Sequence, residues 1–343
     1  MLRFLLYFFY YCAIVAAAAA AVLCSAIIVP PQINHIQASS LFVSEPNPRD
    51  FGNPPNPTPQ QHAVRKHWGN ANKNWLKSRF HFNFAEYDDP ARRNFGVLRV
   101  LNDDLVMPAR GFHTHPHSNV EVVSLILGPA ELTHGDSLGN SESLGRGSVQ
   151  YISAGSGISH EEHNRHPTLP VRWLQIWFSP RRYNQKPRYG SWANTSYDPE
   201  ERRNKFYHIV GDELKGFNNL DSSEPSEAPV RLQTDVNVFI AEIDPSSSTE
   251  ISSSSSGGGC GFPLSKDRAM YVVCAEGECD VQVEVDIANE EKKKISMKQH
   301  DGLSIATFNN LPVKFSNPHS KKKNFVVVIE MKNPNSSPLF SDL

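Results

Sequence analysis

The sequence lacks a surplus of charge of either sign. Its 34 Lys and Arg face 36 Asp and Glu, with a pI near 6.7. There is no basic footprint for direct nucleic-acid binding and no acidic tail. Cysteine is scarce: five in 343 residues, two of them (Cys12 and Cys24) inside the N-terminal apolar segment. That leaves Cys260, Cys274 and Cys279, an odd number with no Cys-x-x-Cys pair. A disulfide framework and a structural zinc site are both excluded. One bridge, Cys274–Cys279 or Cys260–Cys279, needs an oxidising compartment. The 25 prolines, with frequent β-branched and aromatic runs, leave little room for long helices. The expectation is a mainly β protein of roughly two domains at ~150 residues each.

Phe4 to Val29 is a run of 26 residues without a charge, preceded by Arg3. About 20 apolar residues suffice to span a bilayer, and Cys24-Ser25-Ala26 offers small residues at a cleavage position. The expected role is a signal into the secretory pathway or an organelle, or a membrane anchor if it is not cleaved. Any membrane contact is expected through this segment alone. Residues 30–61, with Pro30, Pro31, Pro46, Pro48, Pro54, Pro55 and Pro57, read as an extended or disordered linker.

Beyond it come short strand patterns. Phe80, Phe82 and Phe84 alternate with polar residues. Phe95 to Asn102 reads as a strand ended by the turn chemistry of Asn102-Asp103-Asp104. Glu121 to Leu127 is apolar enough to be buried on both faces. Ala130 to His134, Val149 to Ser153 and Val171 to Phe178 follow. Turns at this spacing suit a small antiparallel barrel or jelly roll. Residues 191–228 are expected to cross to a second domain. The Ser/Gly-rich stretch Ser246 to Gly261 reads as a surface loop. A second strand set runs from Val230 to Met331 without the histidines of the first; His300 and His319 are expected at the surface, and the Lys292–Lys294 run in a loop.

Those histidines concentrate between Gly111 and Asn164. Side chains alternate along a strand, so His115 and His117 project together, as do His160 and Glu162. Facing each other across a barrel, the two pairs make a pocket of three imidazoles and a carboxylate. Such a set suits Fe(II), Mn, Ni, Cu or Zn. It leaves open positions for a substrate oxygen or O₂, which separates a catalytic site from a closed structural one. Glu121 is also an even step from His117, so strand parity leaves either glutamate as the carboxylate. His113 shares that parity, and it is expected, with His134 and His163, to have no metal role.

His115-x-His117-x₃-Glu121-x₆-Gly128 and Gly157-x₂-His160-x₃-Asn164 resemble the two cupin motifs, with Gly155 where a proline is usual. More closely, Gly111-Phe-His-Thr-His-Pro-His117 with Ser153-Ala-Gly-Ser-Gly-Ile-Ser-His160-Glu-Glu162 looks like the pirin family, above all its bacterial quercetinase-like members. His67-Trp68, Asn102-Asp103-Asp104, Leu174-Gln175-Ile176-Trp177 and Pro187-Arg188-Tyr189 carry the resemblance further. It implies an all-β bicupin of two antiparallel jelly-roll barrels packed face to face, with few short helices. The barrels would be residues 62–190, holding the metal, and 229–333, without one, with a tail at 334–343. It implies one divalent metal per chain, usually Fe(II), held by His115, His117, His160 and Glu162. A generic cupin would use Glu121 instead, which then becomes an extra ligand or a base.

The function implied is quercetinase-type dioxygenation of a flavonol-like aromatic with O₂, Glu162 or Glu121 taking the substrate proton. Val122, Leu125 and Ile152 are candidates for an aromatic pocket. The alternatives are a non-enzymatic, redox-sensing iron protein that acts as a regulatory cofactor, and an anchored binding protein without turnover. A monomer is expected.

Overall fold

The computed structural model describes residues 29–58, 74–216, 226–245, 259–286, 291–319 and 321–336. The N-terminal apolar run up to residue 28, His67-Trp68 and residues 246–258 of the Ser/Gly stretch lie outside them. Among the described residues no helix is long and apolar enough to cross a membrane. Residues 31–343 form one compact unit.

The first strand, β1 (Gln32–Ile36), is followed by β2 (Phe42–Ser44), β3 (Leu76–Phe80), β4 (Leu98–Val106), β5 (Arg110–His117) and β6 (Glu121–Pro129). Next come β7 (Leu132–Asp136), β8 (Ser141–Leu144), β9 (Val149–Ser153), β10 (Ile158–Asn164), β11 (Val171–Phe178) and β12 (Arg188–Trp192). The second half holds β13 (Tyr207–Asp212), β14 (Val230–Leu232), β15 (Val236–Ile243), β16 (Gly259–Leu264), β17 (Arg268–Glu276) and β18 (Glu278–Asp286). It ends with β19 (Glu291–Lys298), β20 (Gly302–Ala306), β21 (Leu311–Ser316) and β22 (Asn324–Lys332). Among the described residues only short 3₁₀ turns accompany them.

Each barrel is a seven-stranded sheet facing a four-stranded one. The first pairs β12-β9-β6-β11-β4-β3-β2 with β5-β10-β7-β8, and the second pairs β1-β20-β17-β22-β15-β13-β14 with β16-β21-β18-β19. The largest core lies between the two large sheets. There Leu101, Val123, Leu125, Leu174, Ile176 and Phe178 of the first meet Val238, Ile240, Tyr271, Val273, Val327 and Ile329 of the second. The near-continuous apolar runs follow from this, because a strand covered on both faces needs apolar residues on both. The interior of the second barrel is filled by Phe239, Met270, Val272, Cys274, Val281, Phe315 and their neighbours.

Several sequence expectations are corrected here. The proline-rich segment is built into the fold: β1 pairs with β20 and β2 with β3, so it joins both barrels. The aromatic strand is Leu76–Phe80, not Phe80 to Phe84. Asn102-Asp103-Asp104 does not end β4; all three are buried within it. Asp103 is held by a bidentate pair with Arg172 at 2.7 and 2.6 Å and by His300 at 2.5 Å, across the barrel junction. His300 is therefore a junction residue, not a surface one. Lys292–Lys294 lie on β19, the edge of the small sheet, where lysine discourages further pairing. Cys260, Cys274 and Cys279 are free and buried.

Candidate metal centre

β5 and β10 lie side by side and antiparallel, with His160 opposite His115 and Ile158 opposite His117. The turn into β10 depends on Gly155, at φ +48°, where a Cβ would sit 2.0 Å from the Gln185 carbonyl oxygen. The ligand nitrogens of His115, His117 and His160 lie within 4.8 Å of one another. Nε2 of His117 and Nε2 of His160 are 2.9 Å apart. Two nitrogens bound at right angles to one ion at ordinary metal–nitrogen distances are separated by about 2.9 Å. The rings thus converge closely enough that they could hold one ion. His115 Nδ1 donates to the His113 carbonyl at 2.8 Å, which leaves its Nε2 with a free lone pair. Burial, and then the neighbouring imidazoles, push His117 and His160 down to about 3. Both are neutral at physiological pH, as a metal ligand must be.

Glu162 is buried in the same barrel and lines the same cavity. Its oxygens do not join the imidazole cluster; they are held by three neutral donors. Ser124 and Gln150 donate to Oε1 at 2.9 and 2.6 Å, and Gln175 donates to Oε2 at 2.8 Å. Each carboxylate oxygen can accept twice, so Oε2 keeps one acceptor position. From the sequence, Ser124 and Gln150 do not stand out, and Gln175 does so only within the Leu174-Gln175-Ile176-Trp177 resemblance, without a role. Their signal was there: one polar residue inside each of the apolar runs of β6, β9 and β11, which in a buried strand needs a partner.

Glu121 is elsewhere. On β6, Ser124 and Ile126 face the interior of the first barrel, whereas Val123 and Leu125 face the second. Glu121 has the parity of Val123. It accepts from Ser153 at 2.6 Å and from the Gln233 backbone N–H, and burial pushes it up to about 7. The parity count from His117 failed because the chain turns between β5 and β6 at Asn119, with φ +53°. His113 is re-aimed by a register shift between β5 and β10. Its ring stands edge-on to His163 at 4.9 Å. His134 stacks on Tyr189 at 4.1 Å and bonds Asp136 at 3.1 Å, behind His160.

The cavity at the imidazoles has a volume of about 390 Å³. Its aromatic wall is Phe80, Phe84, Phe112 and Trp177, the last with its ring 4.9 Å from that of His117. Val122 and Ile152 pack instead in a small cluster beside Trp177, and Leu125 lies between the barrels. Ser44, Pro46, Asp50, Phe51 and Gly52 of the proline-rich segment close another side. That segment is pinned to the metal strand. Asn53 donates to the Gly111 carbonyl at 2.7 Å and accepts from the Gly111 N–H at 3.0 Å. The Trp75 indole N–H donates to the Pro46 carbonyl at 2.9 Å.

Comparison with known proteins gives consistent relatives. The profile of the family Pirin matches residues 61–178, which include β5 and β10. A pirin-like protein of Caulobacter vibrioides is 37% identical over 213 residues, 62% of this chain and 81% of that protein. A quercetin 2,3-dioxygenase of Escherichia coli K12 is 42% identical over 121 residues, 35% of this chain and 52% of that enzyme. The crystal structure of the E. coli pirin YhhW in complex with nickel(II) superposes with a TM-score of 0.61 at 21% identity, over 88% of this chain and 99% of that one. By its three converging histidines on a bicupin frame, and by a relative 37% identical of which it covers 81%, the chain belongs to the pirin family.

Proposed function

We propose that this pirin is a metal-dependent dioxygenase of quercetinase type. The observation that carries this is the coincidence of three converging imidazoles with an aromatic-walled cavity. A closed structural site has no use for such a cavity. A quercetin 2,3-dioxygenase among the relatives supports the flavonol.

His115, His117 and His160 would hold the ion, with Fe(II) the first choice; a bacterial pirin solved with nickel(II) keeps nickel in view. Bound there, the ion would supply Lewis acidity and a place to engage O₂. The chain's own residues do the rest. Trp177, Phe112 and Phe84 sandwich a planar ring and exclude water. Glu162 Oε2, with its spare acceptor position, takes the proton of an incoming enol hydroxyl or serves as the fourth ligand. Gln150, Gln175 and Ser124 fix the carboxylate for either task, so that it need not reorganise when charge shifts. Residues 1–29 are proposed to route the chain to the secretory pathway or an organelle, which a fluorescent fusion with and without them tests.

The function is tested with the full chain, its metal content measured, by following quercetin absorbance under air. Turnover that disappears in His115→Ala and His160→Ala supports the reading. Stoichiometric metal without turnover across a flavonol panel would favour a redox-sensing, regulatory pirin instead.

A further inference from the structure

The large sheet of the first barrel carries a row of polar side chains across its inner face. By register, Gln150 on β9 stands opposite Ser124 on β6, Ser124 opposite Gln175 on β11, and Gln175 opposite Asn102 on β4. The first three end on Glu162. Asn102 continues the row and does not reach it. The residue is only 2% exposed, it lines the cavity, and its buried Oδ1 has no hydrogen-bond partner.

A buried amide oxygen without a donor is costly in an apolar surrounding, and native proteins rarely leave one. Two residues along the same face of β4, the buried Asp104 also lines the cavity, with one oxygen accepting from Ser78. The cavity wall therefore holds, two residues apart, a buried amide oxygen short of a donor and a carboxyl with one oxygen bonded to Ser78. The neighbouring walls are flat and apolar: Phe80 and Phe112 from the barrel and Phe51 from the proline-rich segment. Asp50 and Glu86 on the same lining oppose an anion. A ligand that satisfies all of this is planar, aromatic and uncharged away from the metal, and carries hydroxyl donors.

We infer that Asn102 and Asp104 form a hydroxyl-reading subsite of the metal cavity, so that a polyhydroxylated aromatic is preferred over the same scaffold without its outer hydroxyls. The inference rests on the metal-cavity reading above, and it adds where the ligand's remote hydroxyls go and which residues select them. Burial pushes Asp104 up to about 7, which lets the carboxyl meet a hydroxyl in either protonation state.

The test is anaerobic calorimetric titration of the metal-loaded full chain with quercetin and with 3-hydroxyflavone. The second keeps the 3-hydroxyl and 4-carbonyl pair and lacks the other hydroxyls. Wild type is expected to bind quercetin about tenfold more tightly, as sites built to bond a hydroxyl discriminate against its absence. Asn102→Leu should bring the two affinities near parity while leaving that for 3-hydroxyflavone unchanged, which also shows that the variant is folded. Asn102→Asp, which keeps an acceptor, should preserve the preference. Equal affinities in wild type, or a preference untouched by Asn102→Leu, overturns the subsite and leaves the metal reading standing. If neither flavone binds, the flavonol reading fails. The subsite is then decided by catechol against anisole in the same titration, where a catechol preference lost in Asn102→Leu supports it and no preference overturns it.

Discussion

At the scale of the residue, the site divides into what strand parity can show and what it cannot. His115 and His117, and separately His160 and Glu162, share faces as period-two alternation requires. Parity does not survive a turn or a register shift, and both occur here. The turn at Asn119 sends Glu121 towards the second barrel, and the shift beside His115 takes the His113 ring out of the cluster. The partners of Glu162 come from three other strands, a convergence that no local pattern encodes. The two glutamates thus predict opposite results. Glu121→Gln should leave metal content and turnover unchanged, because its partners are Ser153 and Gln233. Glu162→Gln should lower turnover by about 10²-fold or more, the usual contribution of a positioned proton acceptor. Metal analysis and steady-state rates on the two variants check this; a turnover defect confined to Glu121→Gln would reverse the assignment.

At the scale of the element, the instructive segment is residues 30–58. Its prolines and small polar residues suggest a chain that cannot bury enough apolar surface to order itself. That holds for the segment alone. In the fold it borrows its order from β20, β3 and Gly111, contacts distant in sequence and so invisible to composition. It becomes a wall of the cavity, with Phe51 tilted against Trp75 and edge-on to Phe112 at ring distances of 5.3 and 5.6 Å. Its fit against β5 is close: at Gly52, with φ +75°, a Cβ would lie 2.6 Å from the His113 ring. Asn53→Ala strips the buried Gly111 amide and carbonyl of their partner. It should destabilise the chain by about 1–3 kcal/mol and weaken ligand binding while metal content is retained. Denaturant titration alongside calorimetry measures both. An unchanged ligand affinity would mean that the segment merely decorates the barrel.

At the scale of the molecule, the two barrels are held together by the apolar faces of their large sheets and by a few polar contacts across the junction, among them Arg172 to the Ala275 carbonyl and Asp103 to His300. One of these, His81 to the Tyr271 hydroxyl at 2.9 Å, gives the junction a pH dependence. Burial lowers His81 from its ordinary 6.5 to about 4. Between those values the unfolded chain binds a proton that the folded chain refuses. Its contribution is therefore complete above about pH 6.5 and falls away as the pH drops towards 4. Asp104 and Glu121, both raised to about 7, act in the opposite sense, since the folded chain holds their protons and their contribution is lost as the pH rises towards 7. The histidine is isolated by difference: Asn can keep the bond to Tyr271 and cannot titrate, so the stability of wild type relative to His81→Asn should fall between pH 6.5 and 4. A flat difference in denaturation midpoints would contradict it. That the strands form two sets was legible in the sequence; their number was not, since β1, β2, β13 and β19 fall in stretches that read as linker, crossing segment or loop, and neither was the pairing of the sets through their large sheets, because apolar runs do not say which neighbour covers each face.

One measurement bears on all three scales: metal stoichiometry of the full chain after anaerobic reconstitution with Fe(II), by elemental analysis, for wild type and for His115→Ala, His117→Ala and His160→Ala. A single three-histidine centre predicts one ion per chain in wild type and a loss of bound metal in each variant, with circular dichroism unchanged. Metal retained at one ion per chain in these variants, or a wild-type chain that takes up none, would contradict it.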